Sequence, residues 1–476
     1  MDAGVDRAPN EAPEPQKCEL LAEWAATRKF SDIPREHLPY LKALVLDSLG
    51  CAIGALRGTP AVIAISVSEE LGGRGQCTAI GLGRTAADRA TFVNGALVRY
   101  LDFMDIFMVE GQTFHPSDNF AATLAAAELA GATGADFLTA LAVAYQVQAR
   151  FSELAPLQEK HFDHVTHLAF SIPAAATRAM GLDKRRGANA IALCASSINT
   201  LWTVRTGRLS NWKGIASAQA AMSCMHMTLL AAHGMTGPLD VMEGAGGWEE
   251  TIGDPVDLDW RKEPLDGFTR SSVKRFNAEA HTQSTIECIL ELRQRHGIDP
   301  LEVERVEVEV FKQANNIVGG GDAGDRTIVR SKEQADHSIP YLAAVALLDG
   351  DVWPAQLTSG RVTSHDVQSL LQRVWVRQRD DLSRRYPAEM PCRVTILMKD
   401  GRRLGAEKND YAGFWRTRPL DWADVAAKFE RLAGPMLDPG LRREIPDAVD
   451  ALETLPVAEL TRLLARIETE RRRATA

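Results

Sequence analysis

Residues 101–119 read LDFMDIFMVEGQTFHPSDN, which places Asp102 and Asp105 three apart and follows them with His115-Pro-Ser117-Asp118 between two apolar segments. Acids and an imidazole collected in one connecting segment mark the rim of an active site, because functional groups concentrate on loops held by a rigid scaffold. The remaining groups must come from elsewhere in the chain. HFDHVTHLAF, residues 161–170, offers His161, His164 and His167, each three apart, a spacing that shares one helix face. Zinc is the rival use of such a trio, but no HExxH accompanies it and spacing supplies no paired carboxylate, so no metal is expected.

Cations recur in three further motifs. TGRLSNWKG, residues 206–214, joins two helical stretches and carries Arg208 and Lys213 near a helix start, where backbone amides also favour carboxylates. KRFNAEAHTQST, residues 274–285, sets Lys274 and His281 ahead of a helix. RSKEQADHSIPYLAAVALLDG, residues 330–350, brings Lys332, His337, Ser338 and Tyr341 to another, with Asp336 placed to cap it. Together these groups suit proton abstraction beside a carboxylate, with cations holding the acid groups of the substrate.

Other chemistries lack their signatures. GRGQCTAIG and GGGDAG are glycine-rich, yet neither is a GxGxxG between a strand and a helix, and there is no GxxxxGK[ST] or GxSxG. A net charge of -9, from 54 basic and 63 acidic residues, excludes general affinity for nucleic acid or an anionic membrane. Seven scattered cysteines without a CxxC pair argue against a disulfide framework or an iron–sulfur cluster and for a reducing, cytoplasmic setting. Residues 1–17 are acidic and Pro-rich with no apolar run, which reads as a disordered leader and not a signal peptide. No uncharged apolar run reaches the roughly 18 residues of a membrane span.

The elements that must position these groups fall into three stretches. Residues 18–267 carry apolar residues at three- and four-residue spacing and Ala-rich helices at 121–130, 135–150, 169–180 and 187–198, with Gly131 and Gly181 as helix stops. High alanine predicts close helix packing. Residues 268–404 change texture: 306–310 alternates as a half-buried strand, 392–398 is a second strand, and 399–402 is a turn after it. Helices are expected near 282–296 and 337–349. Residues 405–476 turn helical again, at 421–433 and 457–471. The fold class is mainly α with an α+β domain.

In order, LVRYLDFMDIF with HPSDN, TGRLSNWKG, HGMTGP, AEAHTQS, DHSIPYLAAVALLDG and RYPAEMPCRVTILMKDGR resemble the MmgE/PrpD family, closest to its 2-methylcitrate dehydratase branch. The resemblance runs from near Leu20 to the end. It implies a large helical domain built from both chain ends, a smaller α+β domain, a homodimer and cofactor-free chemistry on polycarboxylates. It implies Asp102, His115, His164, Lys213, His281 and Tyr341 as catalytic residues. Arg208, Lys274, Lys332, His337 and Ser117 would hold the substrate, a small di- or tricarboxylate. The activity implied is dehydration of 2-methylcitrate or a longer 2-alkylcitrate. A decarboxylase or epimerase using the same pocket, or a binding homologue without catalysis, are the alternatives. Two departures stand out: Ile106 occupies a position where relatives commonly carry a threonine hydroxyl, and FNAEAH stands for YPAEFH. Both changes favour a substrate with a larger apolar group than methyl.

Overall fold

The computed structural model describes residues 14–207 and 209–468. Residues 1–13 of the expected leader lie outside them, whereas Lys17 already opens the helix Lys17–Thr27. The molecule is mainly helical, with one four-stranded sheet and two small hairpins among the described residues. Its apolar side chains form two principal cores. The larger gathers residues from Cys18 to Val273 and again from Val425 to Ile467. The smaller runs from Phe276 to Phe414 and admits only Ile106 and Met108 from earlier in the chain. Those two come from the segment that opens with Asp102, so the 101–119 stretch lies where the cores meet.

Alanine sets how closely the helices of the larger core approach. Gly134–Leu154 packs along Leu168–Met180, and Ala87–Tyr100 packs along Ala216–Ala232. Gly131 and Gly181 end their helices in the left-handed conformation, at φ 64° and 62°, which a residue without Cβ adopts at little cost. The later segment returns to this core: Trp422–Ala433 packs on Leu38–Gly54, and Val457–Leu464 packs on Phe120–Ala130. Gly134 shows how close this return is, since a Cβ there would fall 1.8 Å from the Leu452 carbonyl oxygen. The last helix stops at Leu464, short of the expected 471; residues 469–471 lie outside the described residues.

The sheet runs in the order Val374–Gln378, Val303–Val310, Cys392–Met398, Arg403–Lys408. The first pair is parallel and the others antiparallel, with Val306 facing both Val374 and Ile396. One face rests on Gln283–His296 and Ile339–Asp349. The edge strand Val374–Gln378 lies in a polar stretch with no clear alternation, which hid it in the sequence. Two hairpins interrupt the stretch read as helical: Cys77–Ala79 with Gly83–Thr85, and, inside the connecting segment 101–119, Phe107–Val109 with Gln112–Phe114. The second of these supports the turn that presents His115. No single helix among the described residues is long and apolar enough to cross a membrane.

Candidate active site

Asp102 sits just past the helix Ala87–Tyr100 with φ 60°, a left-handed backbone uncommon outside glycine and best tolerated by Asp and Asn. Its buried carboxylate accepts from Lys274 Nζ at 2.7 Å and Arg99 at 3.0 Å, and Lys213 Nζ lies 3.0 Å from its other oxygen. Lys274 also donates to the Asp102 carbonyl at 2.9 Å. Burial opposes ionisation of Asp102, but Lys213, Lys274 and Arg99 outweigh it and hold its pKa well below the usual carboxylate value. Asp102 is therefore a fixed anion and not a proton acceptor near neutrality.

Around it lies a chamber of about 60 Å³ whose wall includes Arg99, Asp102, His115, His164, His281 and His337. Thr113, Gln158, Trp202, His281 and Ile317 also line a vestibule of about 330 Å³, within the range of small-molecule sites. Four imidazoles thus reach one void from four separate segments. His115 is placed by the turn after the Gln112–Phe114 strand, and its Nδ1 hydrogen donates to the Asp105 carbonyl at 2.9 Å. That tautomer leaves a lone pair on Nε2, which is 3.9 Å from Asp102 and beyond hydrogen-bond reach. Burial, then Arg99 and Lys274, push the His115 pKa well below its ordinary value, so the ring is neutral. His164 Nε2 is buried without a hydrogen-bond partner among the described residues, 3.6 Å from Asp118.

His281 is oriented by Glu279, whose carboxylate meets Nδ1 at 2.7 Å and also accepts the His281 backbone N–H at 2.8 Å. His281 Nε2 lies 3.3 Å from the Tyr386 hydroxyl, which burial pushes up to about 12 and so keeps protonated. His337 Nδ1 lies 3.0 Å from Lys213 Nζ and 2.9 Å from Asp336. Burial and Lys213 lower its pKa to about 4, so it too is neutral.

Asp102, Asp336 and His337 form the one constellation among the described residues whose ligand atoms are close enough to hold a metal ion. The Lys213 ammonium already contacts all three, at 3.0, 2.8 and 3.0 Å, and so occupies the cationic position of that cage. The histidine trio does not assemble. His161 is exposed in a left-handed turn, and His167 is committed to Gln112, Ser152 and the Ala155 carbonyl.

The structure thus brings Asp102, His115, His164, Lys274, His281 and His337 to the chamber wall, with Lys213 in contact through Asp102 and His337. Three expected site residues are elsewhere. Tyr341 is buried in the smaller core with its hydroxyl donated to the Gln356 carbonyl, which corrects its placement at the site. Lys332 donates to the Tyr100 carbonyl at 2.6 Å and pairs with Asp336 at 2.7 Å, bracing the wall instead of lining it. Ser117 is buried, and its backbone N–H holds Asp105 at 3.1 Å. Arg208 lies outside the described residues. Asp336 does not cap the following helix; Ser338 does, accepting from the Tyr341 N–H at 3.0 Å.

Several contributors had no sequence signal of their own. Arg205 lines the chamber but is gripped by Asp163 at 2.8 and 3.2 Å and donates to the Lys213 carbonyl. Arg99 Nε has no hydrogen-bond partner among the described residues and faces the Asp118 carboxylate at 3.8 Å. Glu279 was visible only as part of AEAH, and Tyr386 comes from 105 residues beyond His281.

The pattern of the MmgE/PrpD N-terminal domain matches residues 19–261, and that of the MmgE/PrpD C-terminal domain matches residues 276–454. The chain is similar to alkylcitrate dehydratase phiI of Fungal sp. (strain ATCC 74256), 25% identical over 468 residues and 90% of each chain. It is 27% identical to cis-aconitate decarboxylase of Mus musculus over 79% of this chain and 78% of the relative. It is 24% identical to 2-methylcitrate dehydratase of Escherichia coli (strain K12) over 60% of this chain and 62% of the relative. Both family patterns, joined where the two cores meet, span most of its length, and the chain belongs to the MmgE/PrpD family.

Proposed function

We propose that the protein is a lyase that removes water from a 2-alkylcitrate, giving the cis-aconitate analogue. The observation that carries this reading is the convergence of His115, His164, His281 and His337 on one chamber beside Arg99 and the Asp102–Lys274 pair. The named relatives point the same way, since two of the three are dehydratases of alkylated citrates.

The chemistry follows from the protonation states. Neutral His115 takes the proton alpha to a carboxylate through Nε2, the C–H pair becomes an enolate-like carbanion, and the positive charges of Arg99 and Lys274 on the chamber wall stabilise it. The double bond forms as the C–O bond breaks. The hydroxyl leaves with a proton from the His281–Tyr386 side and departs as water. A substrate carrying several negative charges raises the proton affinity of His115 on binding, which offsets the low value of the empty site. The apolar group of the substrate faces Ile106, Trp202 and Ile317, which share the wall with the charged groups. Ile106 offers a hydrocarbon surface there, so a chain longer than methyl is accommodated.

The test is a screen of citrate, 2-methylcitrate, longer 2-alkylcitrates and cis-aconitate, following absorbance of the conjugated double bond. Turnover of an alkylcitrate that disappears in His115→Ala is the expected result. Folded protein inactive on every alkylcitrate overturns it. Carbon dioxide released from cis-aconitate instead would establish the second reading, a decarboxylase, which the mouse relative favours.

A further inference from the structure

Behind the Asp102–Lys274 pair lies a second buried ammonium, from a helix more than 150 residues further along. Lys428, in Trp422–Ala433, is buried and donates to the Phe103 carbonyl at 2.7 Å and the Lys274 carbonyl at 2.9 Å. Its Nζ lies 2.6 Å from Asp47, in Leu38–Gly54, and 4.1 Å from the centre of the Phe103 ring. Two of the ammonium's three protons go to these carbonyls, and Asp47 balances its charge as a close ion pair.

The two carbonyls belong to the residue after Asp102 and to Lys274 itself. Lys274 Nζ then crosses back to the Asp102 carbonyl and carboxylate. Phe103 and Lys274 are 171 residues apart in sequence, and no strand ladder joins their segments beyond the single bridge of Ile106 to Ser272. Asn277 ties the same two segments by donating to the Leu101 carbonyl, and Lys428 adds a point at which both backbones meet one ammonium. Stability alone does not call for it, since well-packed apolar residues in place of a buried ion pair are often neutral or stabilising. Asp102 in a left-handed backbone does call for it, because such a conformation persists only where its surroundings fix it.

We propose that Lys428, anchored by Asp47, is a positioning residue that sets the geometry of the Asp102–Lys274 pair. The proposal rests on that pair belonging to the active site, but part of its test needs no substrate. The double variant Asp47→Leu/Lys428→Met replaces the ion pair by apolar groups and removes both carbonyl donors. Hydrogen exchange, read by mass spectrometry on peptides covering 100–107 and 271–277, accelerates in this variant while its urea midpoint stays near that of the wild type. With the substrate the wild type turns over, kcat falls about 100-fold, the cost of a displacement of about 1 Å, while KM changes little. Unchanged exchange in both segments, or wild-type kcat, overturns the proposal. Should the double variant not fold, Asp47→Asn keeps the volume and removes only the anchor; it must show the same faster exchange and lowered kcat. Absence of any turnover by the wild type would refute the dehydratase reading and leave the exchange result to decide this one.

Discussion

Replacing Asp102 by Asn tests the electrostatic frame of the site. The carboxylate sits between three cations at 2.7, 3.0 and 3.0 Å and is almost fully buried. Asn keeps the shape and tolerates φ 60°, so backbone strain does not enter the comparison. What is lost is the negative charge. Breaking a buried ion pair from one side costs about 3–5 kcal/mol, because the partner charges remain buried. That is a fifth or more of the roughly 5–15 kcal/mol by which a protein is ordinarily stable. Asp102→Ala costs about 1–2 kcal/mol more, the penalty of a left-handed residue that lacks the short polar side chain of Asp or Asn. Urea unfolding followed by circular dichroism at pH 7 reads both differences. The pH dependence has a definite sign. The folded pKa of Asp102 is depressed, so its contribution is present above the unfolded value of about 3.9 and is lost as pH falls through the lower folded value. The gap between wild type and Asp102→Asn therefore narrows below about pH 4. An Asn variant as stable as the wild type at pH 7 refutes the reasoning, since the cations would then not depend on this anion.

Three buried histidines, His115, His167 and His337, have lowered folded pKa values, the last two about 3 and 4. Protons bound only by the unfolded chain make stability fall as pH drops below about 6.5, visible in thermal melts from pH 7 to 4. Tyr145→Phe removes the 2.8 Å donor to Asp105, whose pKa burial already raises to about 6, and costs about 1–3 kcal/mol in urea melts. Gly134→Ala drives a Cβ into the Leu452 carbonyl and lowers the melting temperature, while the neighbouring Ala135→Gly, with no such clash to relieve, costs only about 1 kcal/mol. Dialysis against a chelator leaves activity unchanged, because Lys213 already fills the cage formed by Asp102, Asp336 and His337.

What could be read from the sequence divides by the range of the interactions. Helix ends at Gly131 and Gly181 and the strand Cys392–Met398 depend on neighbours a few residues away, and periodicity shows those. His115 and His281 stood out because imidazoles beside proline or ahead of a helix are uncommon. Their roles were hidden: the tautomer of His115 is set by the Asp105 carbonyl, and the partner of His281 Nε2 is Tyr386. Lys213 and Lys332 were recognised as cations, but no local pattern shows that both converge on Asp336. Tyr341 misled for the same reason, since a tyrosine one turn into a helix looks alike whether it faces a cavity or the Gln356 carbonyl.

The return of the late helices to the first core has a bearing on how the protein is made. A ribosome emits Lys428 154 residues after Lys274 and 325 after Phe103. Until then Leu38–Gly54 has an apolar flank with no cover, and Asp47 has no counter-ion. Nascent chains in that condition expose apolar surface of the kind chaperones bind, until Trp422–Ala433 docks on Leu38–Gly54. The site's geometry therefore waits on residues 422–464 reaching the first core, long after Asp102 itself has been made.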